Sequence, residues 1–149
     1  MKTKLFLLLL MSCPFINNAQ TTYVPDDNFE QALINLGHDS GALDNYVPTA
    51  NISSLTSLNL INKNISDITG IEDFVAMEVM LLNQNQITSL DISTMPALRT
   101  LWCGNNQLTT LDASNNLALK SFLCYDNQLT SLDVSNNTLL DELWCQDNQ

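Results

Sequence analysis

The sequence predicts a repeat solenoid with a parallel β-sheet along one side, and three observations support this prediction. Near-copies of one segment begin at Leu98, Leu119 and Leu140, at a constant spacing of 21 residues. Apolar residues recur at the same places in each copy, and an asparagine recurs at another. A short fixed period of this kind is typical of solenoids, in which successive coils stack on one continuous core.

Residues 1–19 are predicted to be an export signal peptide. Two lysines precede an apolar run at residues 5–11, and Ala19 is a small residue at the expected cleavage site. The run is far shorter than the roughly 20 residues that span a bilayer, so we expect no membrane insertion. A secreted or cell-surface location follows. Lipoprotein anchoring at Cys13 is the less favoured alternative, because Pro14 fits a lipoprotein box poorly.

Cleavage after Ala19 would leave a strongly acidic chain. It removes Lys2 and Lys4 and leaves three basic against sixteen acidic residues, so the formal net charge becomes −13. Such a chain repels phosphate backbones and anionic membrane surfaces, and we expect no nucleic-acid partner. The remaining aliphatic residues are abundant and evenly spaced, which favours one folded domain and excludes disorder.

Residues 20–51 are predicted to form an N-terminal cap, because the end of a solenoid otherwise exposes apolar core. Within this region, residues 25–36 start with capping residues and place Phe29, Leu33 and Leu36 on one helical face. A glycine follows, as is common after the last turn of a helix. We therefore expect a cap helix of about ten residues.

Residues 52–149 contain five copies of the repeat, the last of them truncated. Position 1 of each copy is apolar: Leu55, Met77, Leu98, Leu119 and Leu140. Positions 4 and 6 are also apolar in every copy, and because they lie two residues apart they share one face of a short strand. Stacking of the copies would bury that face and align the strands in a parallel sheet.

Position 9 is asparagine in four of the five copies: Asn85, Asn106, Asn127 and Asn148. Its side-chain amide can bond backbone groups where the chain leaves the strand, so we expect an Asn ladder. The full pattern, L-x-x-L-x-L-x-x-N-x-L, resembles that of bacterial leucine-rich repeat proteins. The resemblance implies a leucine-rich repeat solenoid of the α/β class, dominated by β-structure, with a curved parallel sheet on its concave face and a small N-terminal helical cap.

The copies are not all of one type. The first, residues 55–76, has 22 residues and resembles the internalin type of repeat. Later copies have 21 and carry L-T-x-L-D-x-S-x-N, which is similar to repeats of secreted bacterial surface proteins that end in a C-terminal sorting domain. The sequence stops ten residues into a repeat, and we expect it to be a fragment of a longer protein.

The returning halves of the second, third and fourth coils contain an aspartate followed two residues later by a serine: Asp91 and Ser93, Asp112 and Ser114, Asp133 and Ser135. About twelve residues return the chain, too few for a multi-turn helix, so short strands or turns are expected on the convex side. The aspartates are predicted to close turns through side-chain to backbone bonds. A calcium ladder along the Asp row is the less favoured alternative.

Three cysteines, Cys103, Cys124 and Cys145, occupy the inward position 6 of consecutive copies. We expect a structural core ladder of thiols, because neighbouring side chains on parallel strands point the same way and are poorly placed for disulfides. Zinc is disfavoured, since the chain has a single histidine, His38, and no C-x-x-C pair. We predict no metal and no cofactor.

The outward positions 5 and 7 predict a ligand-binding surface on the concave face. Four residues there, Trp102, Leu123, Tyr125 and Trp144, form what we call the aromatic strip. Asn, Gln and Asp residues at position 8 border it. Large exposed aromatic residues contribute strongly to interfaces. The competing interpretation is that these side chains pack against one another and stiffen the sheet.

Enzymatic function is disfavoured. The single histidine lies in the cap region, so the repeats hold no Ser-His-Asp or Cys-His site, and no glycine-rich phosphate loop occurs. The sequence therefore predicts an exported binding module for a protein or glycan ligand at the bacterial cell surface. Two alternatives remain: a structural spacer or adhesin stalk for a C-terminal domain beyond this fragment, or a repeat region attached to a missing enzyme. The sequence leaves the oligomeric state open.

Overall fold

The computed structural model of the protein describes residues 20–149. The predicted signal peptide and Cys13 lie outside this range. Within it, a small cap precedes a stack of coils whose strands form one five-stranded parallel sheet. The predicted solenoid, with its sheet on one side and a helical cap at its N-terminal end, is confirmed.

The cap consists of two strands and two helices. Strands β1 (Thr21–Tyr23) and β2 (Tyr46–Pro48) pair antiparallel, and helices α1 (Asp27–Asn35) and α2 (Thr49–Ile52) follow them in turn. The pairing of β1 with β2 brings the start of the chain beside the entry to the first coil. The sequence did not predict this pair, because each strand is only three residues long.

Helix α1 begins where the sequence predicts it. The Asp26 side chain accepts hydrogen bonds from the backbone N–H groups of Asn28 and Phe29, at 2.9 and 3.0 Å, and so caps the first turn. Phe29 and Leu33 are completely buried. The prediction for Leu36 was wrong, because the helix ends at Asn35 and Leu36, its C-cap residue, is 46% exposed.

Asp26 also fastens the cap to the first coil. Its second carboxylate oxygen accepts hydrogen bonds from the Ser66 backbone N–H and hydroxyl, both at 2.9 Å, and from the Asp67 N–H at 3.1 Å. Burial raises the pKa of Asp26, but these hydrogen bonds outweigh it and hold the pKa below its ordinary value. The ionised carboxylate therefore stabilises the junction between cap and repeats.

A second carboxylate holds the loop of the cap. Glu30 is fully buried on α1, and its two oxygens accept hydrogen bonds from the backbone N–H groups of Asp44 and Asn45, at 2.8 and 3.0 Å. These bonds satisfy a charge that would otherwise be costly to bury. They also fix the end of the loop between α1 and β2.

The sheet contains β3 (Ser57–Asn59), β4 (Val79–Leu81), β5 (Thr100–Trp102), β6 (Ser121–Leu123) and β7 (Glu142–Trp144), paired in that order. Each strand pairs with the next so that equal positions of the repeat lie side by side. The position-4 residues therefore form one column inside the solenoid: Leu58, Met80, Leu101, Phe122 and Leu143.

Burial follows the repeat positions. The first four residues of the position-4 column are at most 1% exposed, and burial of each such side chain contributes roughly 1.5–3 kcal/mol. Leu143 in β7 is 39% exposed, because no described coil covers it. The core is thus continuous through the first four coils of the described residues.

The returning halves contain turns and no strands in the described residues. Of the two expectations for the convex side, turns are confirmed and short strands are wrong. The backbone N–H of Ser93 donates to Asp91 at 2.9 Å, and the Ser114–Asp112 and Ser135–Asp133 pairs repeat this bond at 2.8 and 2.9 Å. The backbone turns directly after these pairs begin, at residues 93–94, 114–115 and 135–136. The first coil differs by a single 3₁₀ turn at Ile71–Asp73.

The residue at position 8 leaves each strand in a left-handed conformation. Its φ angle lies between 50° and 61° in all five coils, at Asn62, Gln84, Asn105, Asp126 and Asp147. Asparagine and aspartate tolerate this conformation better than other non-glycine residues. Their recurrence at position 8 therefore has a structural cause and does not by itself indicate a binding rim.

Candidate functional site

The position-9 asparagines bond adjacent coils together. Asn106 is 9% exposed, and its amide NH₂ donates to the Leu82 carbonyl of the preceding coil and to Cys103 O of its own coil, both at 3.0 Å. Its carbonyl oxygen accepts from the Ile87 N–H, also at 3.0 Å. Equivalent bonds recur at Asn85, Asn127 and Asn148.

A second pair of asparagines lies on the returning side. The amide NH₂ of Asn116 donates to the carbonyls of Ile92 and Met95 in the preceding coil, both at 2.9 Å, and Asn137 donates to the carbonyls of Ala113 and Asn116 in the same way. Both residues are buried, yet their side-chain oxygens accept no hydrogen bond. The L-T-x-L-D-x-S-x-N pattern contained this signal, but sequence reasoning gave its final asparagine no role.

The cysteines occupy one column beside the position-4 residues. Cys103 and Cys124 are completely buried, whereas Cys145 is exposed in the last described coil, and none of the three forms a disulfide. Burial raises the pKa of the Cys124 thiol to about 12 and that of Cys103 well above its ordinary value. The two buried thiols therefore stay protonated and chemically inert at neutral pH.

In the aromatic strip, Trp102 is held in place by a chain of hydrogen bonds. Its indole N–H donates to the Ser121 hydroxyl at 3.0 Å, and that hydroxyl donates to the Glu142 carboxylate at 2.7 Å. The three residues come from adjacent strands β5, β6 and β7. Trp102 is only partly exposed, and the hydrogen bond to Ser121 restrains the orientation of its ring.

Tyr125 and Trp144 are neighbours at the C-terminal end of the aromatic strip. Their ring centroids are 6.2 Å apart and the ring planes are tilted by 54°, a favourable geometry for an aromatic pair. The Tyr125 ring also lies over Gly104, since a Cβ atom there would approach its Cε1 atom to 2.6 Å. Glycine at position 7 of the third coil thus makes room for the tyrosine of the fourth.

Exposure differs along the aromatic strip. Trp144 is 49% exposed and Tyr125 is partly exposed, but Leu123 is only 6% exposed, contrary to the expectation that it offers surface to a ligand. Leu123 pairs in register with Trp102 on one side and Trp144 on the other, and larger neighbours leave a leucine little free surface. The accessible groups are therefore the three aromatic side chains.

The convex Asp row is engaged within its own turns. Hydrogen bonding from Ser93, Ser114 and Ser135 holds the pKa of Asp91, Asp112 and Asp133 below its ordinary value. In residues 20–149, no group of three or more His, Cys, Asp or Glu side chains is arranged to hold a metal ion. No helix in this range is long and apolar enough to cross a bilayer.

The comparisons with known proteins agree with this architecture. A family profile described as leucine-rich repeats (two copies) matches residues 75–116. The functional domain of InlJ from Listeria monocytogenes, described as including a cysteine ladder, is 36% identical with a TM-score of 0.78. That match covers 87% of the present chain and 29% of the InlJ domain. The comparison with curated proteins produced no match.

Two further solved structures are similar. A leucine-rich repeat protein of Leptospira interrogans is 26% identical with a TM-score of 0.61, over 66% of this chain and 27% of that one. Internalin C2 of Listeria monocytogenes shares the fold at 20% identity, with a TM-score of 0.64 over 88% of this chain and 70% of that one. The chain thus spans less than a third of the first two structures. With its repeats, cap and sheet, it is a bacterial, internalin-like leucine-rich repeat protein.

Proposed function

We propose that this chain is an exported, non-enzymatic binding module whose aromatic strip engages a protein ligand outside the cell. The observation that carries the proposal is a set of large aromatic side chains that are accessible and already fixed in position. The Trp102 indole donates a hydrogen bond to Ser121, and the Tyr125 ring packs directly against Gly104. Rigid aromatic residues lose little conformational entropy on binding and are typical interface anchors.

The dimensions of the sheet support a protein partner. Strands β5 to β7 span two strand spacings, about 9–10 Å, and the whole sheet spans four, about 19 Å. Aliphatic Leu81 and Ile61 continue the outward positions toward the cap and are partly exposed. A ligand with an extended apolar surface would contact more of this face than one small group could.

Charge also restricts the ligand. Asp126 and Asp147 are exposed beside the aromatic pair, and Glu142 lies at its edge. The full chain carries a formal net charge of −11. We therefore infer that the ligand surface facing Tyr125 and Trp144 is neutral or basic, because like charges at an interface oppose association.

The test compares two surfaces of the protein. Trp144→Ala removes an exposed anchor of the aromatic strip, and Leu117→Ala with Leu139→Ala removes two exposed leucines of the returning halves, which are 56% and 52% exposed. Wild type and variants are immobilised and exposed to a mixture of extracellular proteins and, separately, to a glycan array. We expect Trp144→Ala to weaken protein capture at least about tenfold while the leucine variant retains it.

The outcomes separate the proposal from its rivals. Capture that survives Trp144→Ala and fails in the leucine variant would contradict the aromatic strip as the site. Binding to glycans alone, lost with Trp144→Ala, would replace the protein ligand by a sugar. The regular hydrogen bonds between coils favour a second candidate, a stiff structural spacer, and the absence of any specific capture would support it.

A further inference from the structure

An open cleft lies between the cap helix and the first coil, at the N-terminal end of the sheet. Its volume is about 530 Å³, and it is lined by Ala32, Asn35, Leu36, Asn59, Ile61 and Lys63. This volume is in the range of pockets that hold small ligands or single side chains. Asn59 and Ile61 occupy positions 5 and 7 of the first coil, the same positions as Trp102 and Tyr125 in later coils. The cleft is thus a continuation of the outward face.

The polar groups of the cleft are hydrogen-bond donors. The side-chain oxygen of Asn59 accepts from the Ile61 N–H at 3.1 Å, and that of Asn35 accepts from the Gln31 amide at 3.2 Å. Their NH₂ groups donate no hydrogen bond within residues 20–149, so each offers two free N–H donors. A ligand that enters the cleft therefore meets free N–H donors, whereas the side-chain oxygens of the same two asparagines already accept hydrogen bonds.

Lys63 adds a positive charge to the same cleft. It is exposed, and its ammonium forms no ion pair in the described residues, whereas Arg99 lies 3.5 Å from Glu78. Lys63 is one of only three basic residues after position 19. An unpaired ammonium beside two amide donors favours an anionic acceptor, and a carboxylate fits this set because its two oxygens accept several N–H bonds.

The wall of the cleft is apolar. Leu36 is 46% exposed there, and Ile61 is partly exposed beside it. The unexpected exposure of Leu36 leaves an apolar side chain available next to the donors. We propose that this cleft binds a carboxylate joined to an apolar group, as carried by a peptide, and that it is a second anchor for the protein ligand of the aromatic strip.

The inference rests on the proposed function for the identity of the partner, but its chemistry is tested separately with short peptides. Three probes share a leucine: acetyl-alanyl-leucine with a free C-terminal carboxylate, acetyl-leucyl-glutamyl amide with a side-chain carboxylate, and the neutral acetyl-leucyl-glutaminyl amide. Each is titrated into the ¹⁵N-labelled protein, and affinity and location are read from backbone amide chemical shifts.

We expect at least one carboxylate probe to bind about tenfold more tightly than the neutral probe and to shift the amides of residues 35–36 and 59–63. The carboxylate probe that binds more tightly shows whether the carboxylate comes from a chain terminus or from an acidic side chain. Lys63→Gln should weaken that probe about tenfold, and Lys120→Gln, which changes an exposed lysine outside the cleft, should leave the affinity unchanged.

Equal affinity for charged and neutral probes, or equal weakening by the two lysine variants, would overturn the assignment. Shifts confined to the aromatic strip would overturn it as well. Because Lys63 is exposed, thermal unfolding of Lys63→Gln should match wild type, which excludes misfolding as the cause of lost binding. Since the probes need no partner protein, failure to find a ligand for the aromatic strip would leave a positive result in the cleft intact.

Discussion

The two faces of the sheet differ in how much they vary from coil to coil. On the inner face, position 4 is Leu, Met, Leu, Phe and Leu along the stack, and position 6 changes only from Leu to Cys. On the outer face, position 5 changes from Asn to Leu to Trp. An inner side chain must fit the coils on both sides of it, since equal positions lie about 4.8 Å apart. The comparison indicates that the inner face and its asparagines stabilise the fold, and that the outer face is available for recognition.

Removal of one ladder asparagine should have the largest effect on stability. Asn106→Ala leaves the buried Ile87 N–H without its acceptor and removes one of the two asparagine donors from each of the Leu82 and Cys103 carbonyls. We expect the free energy of unfolding to fall by about 3 kcal/mol or more, measured by urea denaturation. Gln107→Ala, which changes an exposed polar residue beside Asn106, should lower the free energy of unfolding clearly less. Equal losses at the two positions would contradict a ladder that depends on burial.

Loss of the Asp26 charge should destabilise the junction of cap and repeats by about 1–2 kcal/mol. Asp26→Asn weakens the bonds from Ser66 and Asp67, whereas Asp27→Asn, which changes an exposed neighbour, is the matched control. The folded pKa of Asp26 lies below its unfolded value of about 3.9. Its contribution is therefore full above that pH and disappears as the pH falls through the folded pKa.

Thermal unfolding of wild type and Asp26→Asn between neutral and acidic pH tests this dependence. The difference between the two should be constant near pH 7 and shrink toward zero in acid. A difference that grows on acidification would show that Asp26 is protonated when it stabilises the fold.

Filling the space under Tyr125 should disturb the outer face and lower the free energy of unfolding by only about 1 kcal/mol. In Gly104→Ala the new Cβ meets the Tyr125 ring, and the ring must move relative to Trp144. We expect a change in tryptophan fluorescence. The double variant with Tyr125→Ala should remove most of the stability cost, because the two substitutions act on one contact. Additive costs would show that Gly104 is needed for another reason.

The buried thiols of the folded core should not react with a thiol reagent. Cys103 and Cys124 are buried with raised pKa and should react with a maleimide only after unfolding. Mass spectrometry of the labelled peptides measures this difference. Rapid native labelling of Cys103 would mean that the coils open far more often than the continuous core implies.

The repeat period was sufficient to predict the sheet, because the inward positions and the strand register follow from spacing alone. The capping residues of residues 25–36 predicted the start of α1, and the recurring Asp-x-Ser spacing predicted the turns at Asp91, Asp112 and Asp133. Leu36 and Leu123 were predicted less well, since their exposure depends on where a helix ends and on the size of neighbours one coil away. Neither the residue at which a helix ends nor the packing between adjacent coils can be read from the spacing of residues along the chain.

Other features were present in the sequence without a recognised meaning. The Asn and Asp residues of position 8 were interpreted as a polar border, but their left-handed φ angles explain them. Asn116 and Asn137 recur one period apart, yet only the coil geometry shows that they bond adjacent coils. The buried Glu30 gave no signal, because its partners are backbone N–H groups fourteen and fifteen residues away.

The most direct test of the distinction between the two faces compares the unfolding free energies of Asn106→Ala and Trp144→Ala. Both substitutions truncate a side chain to alanine within a repeat, one in the buried ladder and one in the aromatic strip. Asn106→Ala should be the more destabilising by at least about 2 kcal/mol, and Trp144→Ala should stay within about 1 kcal/mol of wild type. A Trp144→Ala variant as unstable as Asn106→Ala would contradict the account, because the aromatic strip would then serve to hold the coils together.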